Sequence, residues 1–280
     1  MPVRIITDSA SDIVDFPNPS LTVLPLTVAF GNTVYHDGVD LTHERFFELL
    51  VESDTLPSTG AVSPGAFAEA YDAATAVGED VVVVTLSSKV SATWQSACIA
   101  AEGRPNVHVV DSLNSCIGQR VLVEYALMLA ERGLPAAEVA SRLEAARSRV
   151  RMLGLLDTLE YLRRGGRIGS AAAAAGMLLS IKPVVTMTDG SIQLLGKARG
   201  SKNARNLLVQ LVDEHPIDFA MPFSLACTAG GEAMLRKYVR DSRDLWEGIV
   251  DALPITTVGA TIGTHVGPGA IAVAYFSKDA

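Results

Sequence analysis

Hydroxyl side chains cluster at two places in this chain, and a histidine stands at a third. Leu86-Ser87-Ser88-Lys89-Val90-Ser91-Ala92-Thr93 is one hydroxyl-rich run. Thr59 lies in the other, Leu56-Pro57-Ser58-Thr59-Gly60-Ala61-Val62-Ser63-Pro64-Gly65, and has no evident capping duty there. His265 is followed by Val266-Gly267-Pro268-Gly269, a tight turn whose backbone can approach a ligand closely. Hydroxyl donors beside the unpaired N–H groups of a helix start suit a carboxylate or a phosphate. The plainer alternative is that Ser91 and Thr93 only cap the helix that follows. An imidazole at His265 could donate to an anion, act as a base, accept a phosphoryl group, or rest half-buried on a backbone carbonyl.

Other chemistry finds less support. Asp8 and Asp12 flank a short loop without the further oxygen ligands and glycine of a calcium loop, so capping by Asp8 or Ser9 is the simpler reading. There is no Gly-x-Ser-x-Gly, no Walker loop and no His-Glu-x-x-His, and His36 and His43 read as surface residues. Gly165-Gly166-Arg167-Ile168-Gly169 does not follow a strand directly and is weak as a dinucleotide loop. Arg163, Arg164 and Arg167, continued by Lys197, Arg199, Lys202 and Arg205, form a basic patch. It could be a solvated face, a phosphate contact or a docking patch for a protein. Cys98, Cys116 and Cys227 are far apart, odd in number and without metal spacing, which fits a reducing cytoplasm.

The whole chain bounds these options. Its 280 residues allow two domains, and 49% hydrophobic against 19% charged residues allow a large core or a core with an apolar cavity. The net charge of −8 argues against a nucleic-acid partner. The N-terminus lacks a signal-peptide pattern, and the most apolar stretch, 168–187, contains Lys182 and Pro183, so stable membrane insertion is not expected. The expected location is the cytoplasm.

The elements that must position these residues alternate strand and helix over the first half. Val81 to Val84 are four β-branched residues in a row, the pattern of a strand covered on both faces of a parallel sheet. Val3 to Thr7, Leu21 to Phe30 (interrupted by Pro25) and Val107 to Val110 read as further strands. Thr42 and Ser63 read as the N-caps of two helices, and 94–101, 118–132 and 136–150 read as three more. From Met152 the pattern changes to strands with hairpins. Thr188-Asp189-Gly190-Ser191 is a hairpin turn, 170–180 and 232–245 read as helices, and 255–258, 263–266 and 270–276 as closing strands. The expected fold is α/β in two domains, with a mostly parallel sheet over 1–152 and a smaller mixed-sheet α/β unit over 153–280.

Together these segments resemble the DegV family. Ile5-Ile6-Thr7-Asp8-Ser9, Leu56-Pro57-Ser58-Thr59 with Ser63-Pro64-Gly65, the run Leu86 to Ala97, Val110-Asp111-Ser112, Gly165-Gly166-Arg167-Ile168 and His265-Val266-Gly267-Pro268-Gly269 match in order from end to end. The resemblance implies a cytoplasmic bacterial lipid-binding protein, a carrier without chemistry or cofactor of its own. The family holds one long-chain fatty acid, and some members present it to a separate kinase that makes an acyl-phosphate for phospholipid synthesis. By that resemblance Thr59, Ser91 and His265 match the positions that hold the carboxylate, the N–H of Ala92 joins them, and Arg167 and Arg199 are candidates for docking the kinase. Two departures stand out. The family commonly has Thr-Ser-Gln-Pro where this chain has Thr59-Gly60-Ala61-Val62, and Ser-Gly-Thr-Tyr where it has Ser91-Ala92-Thr93-Trp94. Met177, Leu178 and Leu179 are candidates for the wall of an acyl tunnel. The alternatives are a phosphotransfer enzyme using His265, a small hydrolase using Ser91, and a regulatory module for a small ligand other than a lipid.

Overall fold

The computed structural model describes residues 1–14, 16–169 and 180–279. Strands β1 (Val3–Asp8), β2 (Leu21–Leu24), β6 (Asp80–Thr85) and β7 (Val107–Asp111) form a parallel sheet in the order β2-β1-β6-β7. Val81 to Val84 are fully buried, as a strand covered on both faces requires. A second, six-stranded sheet contains β8 (Val150–Leu155), β9 (Ile181–Thr188), β10 (Ser191–Arg199), β11 (Phe223–Cys227), β12 (Ile255–Thr257) and β13 (Ile271–Phe276). Its order is β10-β9-β8-β13-β11-β12, antiparallel except for the β11–β12 pair. A small antiparallel sheet, β4-β3-β5, joins β3 (Thr27–Phe30), β4 (Thr33–His36) and β5 (Ser58–Gly60).

Helix α4 (Cys116–Glu131) links the two large sheets. It packs on β1 and β6 of one and on β8, β11 and β13 of the other. Ile117, Val121, Leu122, Val123 and Ala126 on it are fully buried, so it is apolar nearly all round, as a helix between two sheets must be. Helices α2 (Pro64–Ala76) and α3 (Thr93–Ala101) cover the far face of the parallel sheet, and α5 (Ala136–Ala146) packs beside α4. Helices α7 (Ser201–Asp213) and α8 (Glu232–Asp241) cover the far face of the mixed sheet. Three short elements complete the frame: α1 (His43–Glu52), α6 (Glu160–Arg164) and α9 (Ala260–Val266).

Both expected N-caps form: Thr42 accepts from the Arg45 N–H, and Ser63 from the Ala66 N–H. Three expectations fail. The stretch from Leu21 to Phe30 is two strands in different sheets, because Pro25 has no N–H to offer a ladder and the chain turns there. The segment from Gly263 to Val266 belongs to helix α9 and not to a strand. The basic patch loses one member: Lys197 and Arg199 on β10 and Lys202 on α7 are exposed, but Arg205 on α7 is buried and paired with Asp241 at 2.8 Å. The helix expected over 170–180, with Met177, Leu178 and Leu179, falls outside the described residues apart from Ser180, which lies in a turn.

Candidate functional site

In a parallel sheet every strand's carboxyl end lies at one edge, and a ligand crevice opens there. Here β1 delivers Asp8 to Asp12 to that edge, β6 delivers Ser87 to Ala92, and β7 delivers Asp111 to Ser115. Against this edge stand β5 with Thr59, α6 with the following Arg167, and α9 with His265. A cavity of about 220 Å³ lies among them. Thr59, Ser91, Ala92, His265 and Arg167 all line it. Arg199 does not; it is exposed on the outer hairpin strand.

The polar atoms of the cavity bond in part to one another and keep further bonding capacity open. The Ser91 and Thr93 hydroxyls lie 2.9 Å apart, and Ser91 Oγ accepts from the Thr93 N–H at 3.2 Å. Ser91 thus braces the start of α3 and also lines the cavity. His265 Nε2 lies 3.0 Å from Thr59 Oγ1. Its Nδ1 is buried without a partner among the described residues. A Cβ at position 165 would collide with that nitrogen, so glycine is required for the chain to lie flat on the ring. A buried N–H without an acceptor is the rarer and costlier orphan. The proton therefore belongs on Nε2, which donates to Thr59 Oγ1 and leaves the Thr59 O–H free to donate to a ligand. Burial, and then the charge of Arg167, push His265 down to about 4, so the ring is neutral.

Arg167 is the one charged side chain among the described residues lining this cavity. It is exposed at the mouth, with Nη1 donating to the Gly165 carbonyl at 2.7 Å. Hydroxyls, a neutral imidazole and a peripheral guanidinium with no carboxylate among them suit an anion. Behind the polar wall the lining turns apolar. Ser115, Leu162, Ile192, Ile262 and Val266 also border a second chamber of about 50 Å³. Met152, Gly154, Leu156, Val185 and Ala272 of the mixed-sheet half complete it.

Asp8 caps the short turn after β1, as expected, by accepting from the Ala10 N–H, but it and several other residues also hold the site in ways the sequence did not indicate. Asp8 Oδ2 accepts from the Leu86 N–H at 2.9 Å and so fixes the root of the Ser87–Ala92 loop, while Ser87 Oγ donates to the Gly190 carbonyl of the β9–β10 turn at 2.7 Å. Asp12 Oδ1 accepts from the Gly259 N–H at 2.7 Å, and Asp37 accepts from the Ala260 and Thr261 N–H groups at 3.0 Å each. Burial outweighs these hydrogen bonds and pushes Asp8 up to about 7 and Asp12 up to about 8. His43 is not the surface residue expected: it is partly buried, with Nδ1 2.8 Å from Thr257 Oγ1, and burial lowers its pKa. Asp8, Asp12 and Asp37 do not make a metal site; no group of three or more candidate ligands could hold a metal ion among the described residues. The departure at Gly60 also has a local reason, since a Cβ there would meet Thr27 Oγ1 across the β3–β5 pair.

The sequence model of the DegV family, described as uncharacterised proteins, matches residues 2–278. The chain belongs to the DegV family. A DegV domain-containing protein of Caldanaerobacter subterraneus is 32% identical over 280 residues, covering 99% of each chain. The structure of a fatty-acid-binding DegV family protein from Thermus thermophilus superposes with a TM-score of 0.88 at 31% identity, covering 99% of this chain and 100% of that one. A stearic-acid-binding protein from Eubacterium ventriosum gives a TM-score of 0.85 at 28% identity, with 98% of both chains covered. The α/β fold, parallel sheet beside mixed sheet, is thus the DegV fold. Among the described residues no helix is long and apolar enough to cross a membrane.

Proposed function

We propose that this DegV protein binds one long-chain fatty acid, with the carboxylate in the polar cavity and the tail in the apolar chamber behind it. The observation that carries this reading is convergence. Thr59, Ser91 and His265, drawn from three distant segments, line one cavity that contains no acid and continues into apolar lining. A buried carboxylate is costly unless hydrogen-bonded, and the Thr59 and Ser91 hydroxyls with the Ala92 N–H can supply those bonds, the His265 imidazole holding the Thr59 hydroxyl so that its O–H points to the ligand. The tail then contributes ~0.8 kcal/mol for each buried CH₂. Relatives from Thermus thermophilus and Eubacterium ventriosum that bind fatty acids support the same ligand class.

In this reading the chain performs no chemical step. It holds the acid between its two units, 1–152 and 153–280, and presents the carboxylate at the mouth near Arg167 to a separate fatty acid kinase in the cytoplasm. Arg167 and the outlying Arg199 are the proposed contacts for that kinase. A phosphotransfer role for His265 fits less well: Nε2 is engaged by Thr59, and Nδ1 is shut in against Gly165. Ser91 as a nucleophile has Thr93, not a base, beside its hydroxyl. One observation favours a shorter carboxylic acid as a second reading. The deep chamber, about 50 Å³, is narrow for a long tail.

Native mass spectrometry of the purified protein, followed by extraction of its contents, tests both. About one fatty acid per chain is expected, and its length separates the two readings. A protein that stays empty after incubation with carboxylic acids of graded length would sink them together.

A further inference from the structure

Helix α9 carries Thr261 and His265 four residues apart, on the face that lines the cavity. It is a poor helix on its own terms. Its sequence, Ala-Thr-Ile-Gly-Thr-His-Val, mixes β-branched residues with a glycine, and its own N-cap, Gly259, has no side chain with which to cap it. Its first N–H groups are instead satisfied from the other end of the chain. Ala260 donates to Asp37 Oδ1 and Thr261 to Asp37 Oδ2, both at 3.0 Å and across more than 220 residues of sequence. Asp37 is itself fixed. It is 2% exposed, its Oδ2 accepts from Ser9 Oγ at 3.1 Å, and its N–H donates to the Leu26 carbonyl at 2.9 Å. Leu26 also lines the cavity, and its N–H donates to Ser9 Oγ at 3.0 Å.

The geometry points to Asp37 as the positioning residue for the head-group site: by gripping two successive N–H groups it fixes the rotation of α9 and so aims His265 at Thr59. The inference rests on the fatty-acid reading only for its consequence, not for its geometry. From the Thr261 N–H to His265 is four residues, about 6 Å of helix. One bond would leave the short helix free to pivot. Two bonds to the oxygens of one carboxyl group set both its height and its rotation. The imidazole must then meet Thr59 on one side and clear Gly165 on the other. An error of about 1 Å is enough to lose such a contact.

Two measurements on the full chain test this, with Asp37→Ala and Asp37→Asn. The first uses ligand-free protein and reads the His265 imidazole ¹⁵N resonances by NMR. Asp37→Ala is expected to move them towards those of a free imidazole, and Asp37→Asn, which keeps one acceptor, to move them less. Unchanged resonances would overturn the inference whatever the ligand proves to be. The second measures affinity for palmitate and for the primary alcohol of the same length. Asp37→Ala is expected to weaken the carboxylate about ten- to a hundredfold, the range for losing a charge-assisted hydrogen bond, and to leave the alcohol within about threefold. Equal losses for both ligands would mark a merely structural role and overturn it. If the wild type binds neither ligand, the fatty-acid reading fails while the resonances still decide the role of Asp37.

Discussion

Two polar regions share helix α9 and are used in opposite ways. At its N-terminal end, Asp8, Asp12 and Asp37 are buried and bonded to backbone N–H groups of Leu86, Gly259, Ala260 and Thr261. Along its cavity face, Thr59, Ser91 and His265 keep bonding capacity in reserve, and His265 Nδ1 has no partner among the described residues. The first region is spent mainly on holding the backbone, with Asp12 Oδ2 as its one orphan among these carboxyl oxygens; the second leaves the Thr59 and Ser91 hydroxyls for something that arrives. Buried polar groups stabilise a fold when satisfied and serve a ligand when they are not. The two regions should therefore respond differently to loss of a side chain, one in stability and the other in binding.

The largest effect is expected from Asp8→Ala. It orphans the buried N–H groups of Leu86 and Ala10, and at ~1–3 kcal/mol for each unsatisfied group the fold should lose roughly 2–6 kcal/mol. A urea midpoint that barely moves would mean that the loop root is held by something else. The contrasting variant is Thr59→Val, which keeps the shape and removes the hydroxyl. Stability should fall by no more than about 1–3 kcal/mol, the cost of the one N–H on His265 left without an acceptor, because the hydroxyl serves no backbone group, while carboxylate affinity falls about ten- to a hundredfold. If Thr59→Val melts like Asp8→Ala, the two regions are not distinct.

Acid–base behaviour separates the regions a second way. Asp8 and Asp12 have folded values of about 7 and about 8 against an ordinary 3.8, so the folded protein keeps their protons at pH values where the unfolded chain has lost them. Their contribution to stability is whole below about pH 4 and is lost as pH rises through those values. His265 runs the other way: its value falls from 6.5 to about 4, so its contribution is whole above 6.5 and is lost as pH falls through 4. Above pH 6.5 only the carboxyl groups act. The denaturation midpoint should therefore decline between pH 6.5 and 8, and Asp12→Asn, which retains an acceptor for Gly259, should flatten the decline. A midpoint that rises over that interval would contradict the buried-acid account.

The contrast also explains what could be read in the sequence. The strand Val81 to Val84, the caps Thr42 and Ser63 and the turn at Thr188 to Ser191 are local: residue type alone specifies them, and they form as expected. Helix α9 is not local. Its 263–266 segment reads as a strand, and its first N–H groups are held in the helix by Asp12 and Asp37, more than 220 positions away. Non-local pairing likewise hid the burial of Arg205, which depends on Asp241 36 positions on, and of His43, which depends on Thr257 214 positions on. Thr59, Ser91 and His265 were legible as candidates through the family motifs. That they meet, and through which atoms, depends on β5 pairing with β3 and on the cap of α9, neither of which leaves a mark in the motifs themselves.

The smallest effects concern the two arginines, and they sharpen the edge of the site. Arg167 lines the cavity mouth and is the second cause of the lowered His265 value; Arg199 stands exposed on β10 away from it. Arg167→Ala should weaken fatty-acid binding by only a few fold, since an exposed charge contributes about 0–1 kcal/mol, and the loss should shrink as salt is raised. The same variant should let the His265 titration rise towards 6.5, which an NMR pH series reads directly. Arg199→Ala should leave affinity, salt dependence and the His265 titration as they are in the wild type. If Arg199→Ala moves any of them, the anion's surroundings reach beyond the cavity to the outer hairpin. If neither variant does, the bound carboxylate is served by Thr59, Ser91, Ala92 and His265 alone, and both arginines are left free for a partner.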